Sequence, residues 1–132
     1  MKKDKDYWKK NLDKMSYEVL RNAATEMPFS GEYNMFFEDG LYKCKGCGNV
    51  LFESKSKFDS GCGWPSFDEC INGSIIYKED NSLNRTRTEI LCSNCDGHLG
   101  HVFDDGPEPT GLRYCINSAA LTFKKDSAAV ER

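Results

Sequence analysis

The pattern of apolar and polar positions changes near residue 28. Up to position 15 polar and charged residues dominate. One amphipathic run follows, SYEVLRNAAT from Ser16. Val19, Leu20 and Ala23 recur at helical spacing, and Ser16 is placed to cap the helix. Met27-Pro28 ends the pattern, because a residue before proline avoids the α region. Beyond it, short apolar runs alternate with turn residues, which is the pattern of strands. Tyr33 to Phe37 reads as extended and aromatic, and Asp39-Gly40 as a hairpin turn ahead of LYKC. Asn49 to Phe52, Ile75 to Tyr77 and Thr86 to Leu91 read as further strands, although RTRTEIL alternates only roughly. DGPEPTG, residues 105–111, is a loop, and RYCINSAALTF closes the domain as an apolar strand. The expectation is a mainly β, mostly antiparallel domain over residues 16–125. A flexible, frayed or loosely helical segment precedes it at 1–15, and a solvated tail follows at 126–132.

Composition narrows the class. A chain of 132 residues suits a single core. A net charge of −3 argues against a general nucleic-acid binder, which needs clustered Lys and Arg. No apolar run approaches the roughly 18 residues of a membrane span. The basic start, MKKDKDYWKKNLDKM, lacks the apolar stretch of a secretory signal. A cytoplasmic monomer with no membrane or nucleic-acid partner is expected. Seven cysteines then need a reason, because structural disulfides are rare in that compartment.

Four of them form two C-x2-C pairs, Cys44/Cys47 and Cys92/Cys95, each behind a strand and followed by turn residues. Two thiolates on a tight turn occupy two corners of a tetrahedron, and a second turn supplies the others. Four thiolates leave no open position, so the expected metal is one structural Zn2+ per chain. Closing a loop of more than 40 residues, it contributes directly to folding. Two rival readings differ here. A zinc-ribbon interaction module needs only these pairs, and a disulfide oxidoreductase uses Cys44 and Cys47 as a redox motif.

The other three cysteines differ in setting. Cys62, in SGCGWPSF, has glycine on both sides and reads as mobile and exposed. Cys115 lies in an apolar strand, where Arg113 and Asn117 share its face. A guanidinium favours the thiolate, and Asn can donate to a developing oxyanion. His98 and His101, in DGHLGH, are open to three readings: metal ligands, ordinary loop residues, or proton donors in a shared pocket. Trp64, before Pro65, is either core or a rigid apolar wall.

PFSGEY (28–33), CKGCG (44–48), FDSGCGWPSF (58–67) and CSNCDGHLGHVFDDGPEPTGLRYCINSAAL (92–121) together resemble the methionine-R-sulfoxide reductases of the B type, over roughly residues 16–124. The resemblance implies two antiparallel β-sheets, zinc on both C-x2-C pairs, and reduction of methionine-R-sulfoxide, free or in oxidised proteins. It implies that Cys115 is the catalytic cysteine, and that Cys62 resolves its sulfenic acid to a disulfide which a thioredoxin-like dithiol reduces. Trp64, His98, His101, Phe103, Asp105, Arg113 and Asn117 match pocket positions. His98, His101 and Asn117 would serve the sulfoxide oxygen, Asp105 would orient an imidazole, and Trp64 would wall the methyl group. Cys70, in FDECING, departs from the pattern and is expected to be inert.

Overall fold

The computed structural model describes residues 3–81 and 86–125. The tail expected at 126–132 lies outside them. Two short helices come first, α1 (Lys5–Asn11) and α2 (Lys14–Asn22), with Asp4 and Asp13 as N-caps. Ser16, expected as the cap, lies inside α2 and is fully buried. Its backbone N–H donates to the Asp13 carboxylate. Lys45 Nζ donates to the same carboxylate at 2.6 Å, and this contact, ahead of the Ser16 bonds, holds the Asp13 pKa down at about 2. The segment read as frayed or loosely helical carries a core residue: Trp8 is 2% exposed, with the Arg21 guanidinium 4.5 Å from its ring centroid. Trp8 sits among lysines, and the apolar stripe it shares with Leu12 at i+4 is too short and too diluted by charge to announce it.

Nine strands follow among the described residues: β1 (Gly40–Cys44), β2 (Val50–Glu53), β3 (Lys57–Phe58), β4 (Ser66–Phe67), β5 (Ile75–Asp80), β6 (Arg87–Cys92), β7 (His98–Phe103), β8 (Arg113–Ile116) and β9 (Leu121–Lys125). They form two antiparallel sheets, one in the order β2-β1-β9 and the other β3-β4-β8-β7-β6-β5. The expected mainly β architecture of two sheets with a short helical extension is the one observed. Aromatic rings join the layers: Phe52 stacks on Phe67 at 4.2 Å, and Tyr42 meets Phe67 edge-on at 5.1 Å. No helix among the described residues is long and apolar enough to cross a membrane.

Three local expectations are corrected. Tyr33 to Phe37 is not extended; residues 32–35 form a turn, and Tyr33 and Phe36 pack on each other and on Tyr42 and Phe123. Asp39-Gly40 joins no hairpin, because Gly40 already begins β1. RYCINSAALTF is two strands in different sheets, broken by a 3-10 turn at Ser118–Ala120. Asn117 fixes the break: its side chain donates to Leu99 O and accepts from Glu26 N–H.

The element least visible in the sequence is β7. DGHLGH reads as a loop, yet His98–Phe103 is an inner strand between β6 and β8. Gly100 permits this close approach, since a Cβ there would lie 2.0 Å from Cys115 O.

Candidate active site and metal centre

The β1–β2 and β6–β7 turns are built alike. Cys44 N–H donates to Asn49 O and Cys92 N–H to Gly97 O, each at 2.8 Å. Gly48 and Asp96, four residues after the first cysteine of each pair, both take left-handed backbone. These turns bring the Cys44, Cys47, Cys92 and Cys95 sulfurs within 4.8 Å of one another. The short contacts run between the pairs, Cys44 to Cys95 at 3.7 Å and Cys47 to Cys92 at 3.5 Å. Asn49 Nδ2 donates to Cys92 Sγ at 3.6 Å, and Arg21 Nη2 to Cys95 O at 2.8 Å. Four convergent sulfurs with amide and guanidinium donors around them are positioned to hold a metal ion. His98 and His101 are not in this cluster, which removes the reading of them as its ligands.

A second group of residues lines a cavity of about 350 Å³: Thr25, Cys62, Trp64, Arg87, Gly100, His101, Phe103, Arg113, Cys115 and Asn117. The sheet register explains the assembly. His101 pairs with Cys115 and Phe103 with Arg113 across β7 and β8, while Ser66 of β4 pairs with Cys115 from the other side. Residues two apart on one strand share a face, so Arg113 and Cys115 project together, as do His101 and Phe103. The Arg113 guanidinium stacks on Phe103 at 4.4 Å.

Cys62 reaches this wall from the loop before β4. Its Sγ lies 3.5 Å from Cys115 Sγ and 3.4 Å from Ser66 Oγ. The exposed, mobile position expected for Cys62 is instead half-buried and hydrogen-bonded. Gly61 and Gly63 beside it take φ of 75° and 98°, conformations that disfavour other residues. No disulfide links any of the seven cysteines.

The two thiols of the site are coupled through their contact, and their pKa values move in opposite directions. The hydrogen bond from Cys115, then those from Ser60 and Ser66, pulls the Cys62 pKa down to about 4 against the opposing effect of burial. The same contact, reinforced by burial, pushes the Cys115 thiol up, and Arg113 only partly opposes it. These directions make Cys62 the more acidic thiol of the pair, whereas the sequence pointed to an Arg113-stabilised thiolate at Cys115. A consequence is measurable. Cys62 is expected to be alkylated by iodoacetamide down to pH 5. In Cys115→Ala, which removes the largest cause, alkylation at pH 5 is expected to fall by at least about tenfold as the pKa returns toward the ordinary thiol value of roughly 8.5. An unchanged pH profile would count against this proton assignment.

The histidines are held differently. His98 is 5% exposed; its Nδ1 lies 2.6 Å from Glu89 Oε2, and its Nε2 is buried without a partner. Burial lowers its pKa, so the ring is neutral near pH 7 with its proton on the Glu89 side. His98 is not part of the cavity lining; His101 is, with Nε2 2.8 Å from Asp80 Oδ2. Asp105, expected to orient an imidazole, instead takes two hydrogen bonds from Arg113, at 2.8 and 3.2 Å, and is largely exposed. One N–H of Asn117 is spent on Leu99 O. Cys70 stands apart, half-buried, with Sγ 3.8 Å from the Tyr77 and Tyr114 hydroxyls.

Sequence reasoning passed over several residues. Glu26, 4% exposed, donates its N–H to Asn117, accepts Trp64 Nε1–H at 3.0 Å on its carbonyl, and takes Ala119 N–H on its carboxylate. Asp80, Arg87 and Glu89 hold the histidines or line the cavity. For Arg87 and Glu89 the signal was the imperfect alternation of RTRTE: these two charged groups occupy a strand face that an ordinary core strand fills with apolar ones.

Comparison with known proteins agrees with this geometry. A family model described as the SelR domain matches residues 12–125. The chain is 58% identical over 120 residues to "Peptide methionine sulfoxide reductase MsrB" of Bradyrhizobium diazoefficiens, covering 90% of this chain and 86% of that one. It is 52% identical over 125 residues to the protein of the same name from Teredinibacter turnerae, covering 94% and 93%. The Leptospira interrogans protein of that name is 53% identical over 126 residues, with 95% of each chain covered. With the four-cysteine cluster, the facing thiols and this agreement over nearly its whole length, the chain belongs to the SelR-domain family of MsrB-type peptide methionine sulfoxide reductases.

Proposed function

We propose that the protein reduces methionine-R-sulfoxide, free or within oxidised proteins, to methionine by thiol chemistry at Cys115. The observation that carries this reading is the 3.5 Å approach of Cys62 and Cys115 sulfurs at a cavity lined by Trp64, His101 and Asn117. One free thiol suffices for alkylation or burial; two facing thiols with proton carriers beside them suit a two-electron reduction.

The residues divide the work as follows. Trp64 and Phe103 take the apolar part of the side chain and exclude water. The second N–H of Asn117 hydrogen-bonds the sulfoxide oxygen, and His101, whose Nε2 is held by Asp80, joins it from Nδ1 as the imidazolium; both make the sulfur electrophilic. His98, neutral and proton-bound to Glu89, offers an acceptor nitrogen and acts by orienting its neighbour rather than as the first donor. Cys115 passes its proton to the Cys62 thiolate across their contact, and Arg113 steadies the new Cys115 thiolate. Attack of Cys115 on the substrate sulfur, with one proton taken up by the oxygen, forms a transient S–S bond. The hydroxyl then passes to the Cys115 sulfur as that bond and the substrate S–O bond break. This leaves an electron pair on the released methionine thioether and Cys115 as a sulfenic acid. Cys62 then gives up the proton it received, which goes to the departing hydroxide, and its thiolate attacks the Cys115 sulfur. The S–O bond breaks, hydroxide leaves as water after protonation, and a Cys62–Cys115 disulfide forms. A thioredoxin-like dithiol reduces it by exchange. Zinc on Cys44, Cys47, Cys92 and Cys95 fits the all-thiolate donor set and would fix the turns that carry β2 and β7. A cytoplasmic setting is part of the same reading, because a reducing compartment suits a chain with seven cysteines and an all-thiolate metal site.

The deciding assay measures methionine formed from separated R and S epimers of a blocked methionine sulfoxide, with dithiothreitol as reductant. Turnover of the R epimer alone is expected; no turnover of either would remove the reading. Cys62→Ser is expected to release one methionine per chain and then stall with thioredoxin. Continued thioredoxin-coupled turnover in that variant would assign resolution to Cys70 or to direct attack by the reductant.

A further inference from the structure

The cavity contains a cation that the mechanism above leaves unused. Arg87 lines it, and its side chain is 19% exposed. A guanidinium carries five N–H donors in a rigid fork. Among the described residues Arg87 makes one side-chain hydrogen bond, from Nη2 to Asp80 at 3.2 Å, and its Nε is buried with no acceptor. A buried guanidinium N–H without an acceptor is costly unless something else supplies oxygen. Arg113, on the opposite side of the cavity, already gives two donors to Asp105.

The strand register says what Arg87 faces. Glu89, His101 and Cys115 form one row across β6, β7 and β8. Two residues along, on the same face, Phe103 pairs with Arg113, and Arg87 falls on that row one step past the Thr88–Val102 pair. Adjacent same-face rows are roughly 6–7 Å apart. In an extended methionine sulfoxide the main-chain carbonyl carbon is about 5 Å from the sulfur, by standard bond lengths. A sulfur at Cys115 therefore places its own main chain near the second row. A neighbouring hollow of about 470 Å³ shares Arg87 and Phe103 with the cavity and continues past Thr86 and Thr88.

We infer that Arg87 binds the main-chain oxygen of the substrate: the carbonyl next to the oxidised side chain in a polypeptide, or the carboxylate of the free amino acid. The inference rests on the sulfoxide reductase reading. Arg87 is then the residue that tells an amino-acid sulfoxide from a simple alkyl sulfoxide. The competing role is positional, because Asp80 Oδ2 receives both Arg87 and His101.

Steady-state kinetics of Arg87→Gln and Arg87→Lys separate the two. The substrates are N-acetylmethionine-R-sulfoxide methylamide and ethyl methyl sulfoxide, which has no main chain; dithiothreitol is the reductant. In Arg87→Gln the KM for the blocked amino acid is expected to rise about 10–100-fold with kcat within about threefold, and kcat/KM for ethyl methyl sulfoxide to stay within about threefold of wild type. Arg87→Lys keeps the charge toward Asp80 but not the fork, so its KM for the blocked amino acid is expected to rise at least about threefold even if the Gln variant fails to fold. Equal losses on both substrates, or an unchanged KM for the blocked amino acid, would overturn the inference. Wild type that reduced neither substrate would instead remove the reductase reading.

Discussion

Cys115→Ser is expected to lower the rate of methionine formation by about 10⁴-fold or more, to the level of the blank. The argument is chemical. The sulfoxide sulfur needs a polarizable nucleophile that can accept the oxygen and later surrender it. A serine hydroxyl stays protonated near pH 7, lacks an oxidation state equivalent to a sulfenic acid, and cannot close a disulfide. The substitution removes little packing, because the two side chains are nearly the same size and residue 115 is only partly buried. Metal content and thermal unfolding are therefore expected to match wild type. Methionine release from the R epimer with dithiothreitol, followed by chromatography, is the measurement. Residual turnover above about 1% of wild type would move the chemistry to another thiol, with Cys62 the first to test.

Removing the metal is expected to have the largest effect on the fold. The four-cysteine cluster joins the β1–β2 turn of one sheet to the β6–β7 turn of the other. The helices pack on the same place: a Cβ at Gly46 would lie 3.1 Å from the Trp8 ring, and one at Gly97 would lie 2.9 Å from Leu20. Without the ion, sulfurs 3.5 to 3.7 Å apart face one another with no cation between thiolates. Structural zinc contributes on the order of 10 kcal/mol or more in small domains, comparable to the entire stability of roughly 5–15 kcal/mol. Cys92→Ser, or extraction by a strong chelator, is thus expected to unfold the chain at 25 °C. Far-UV circular dichroism during chelator titration tracks it, with zinc measured per chain. A metal-free protein with an unchanged melting temperature would make the cluster dispensable and revive the redox reading of Cys44 and Cys47.

The two experiments answer different questions because the chemistry and the staple are separate. β6 and β7 leave the turn at Cys92 and Cys95 and carry Arg87 and His101 to the cavity, with the Glu89–His98 pair beside them. Loss of a metal ligand therefore acts on the site through these strands, and loss of Cys115 acts on the site alone.

Much of this was legible in the residues, and the division has a physical basis. Properties of spacing were readable in one dimension. Two C-x2-C pairs specify four convergent sulfurs, since a tight turn places its own thiols wherever the rest of the chain goes. Short apolar runs between turn residues specified an antiparallel β domain, because alternation is a local property of extended backbone. Joining Cys62 to Cys115 needed the motif resemblance, and what the pair does with its proton needed coordinates. A thiol–thiol contact of 3.5 Å depends on partners 53 residues apart, so the lowered pKa of Cys62 was hidden from composition and motif alike. The same holds for β7, whose glycine and histidines imitate a loop until a neighbouring strand requires Gly100. It holds too for Trp8, and for the split of residues 111–123 between two sheets. Which atoms could bind a metal and which could carry redox chemistry was set by residue type and local spacing. Which of them face each other was set by the folded arrangement, because hydrogen bonds, burial and ion pairs act over a few ångströms of space and take no account of distance along the chain.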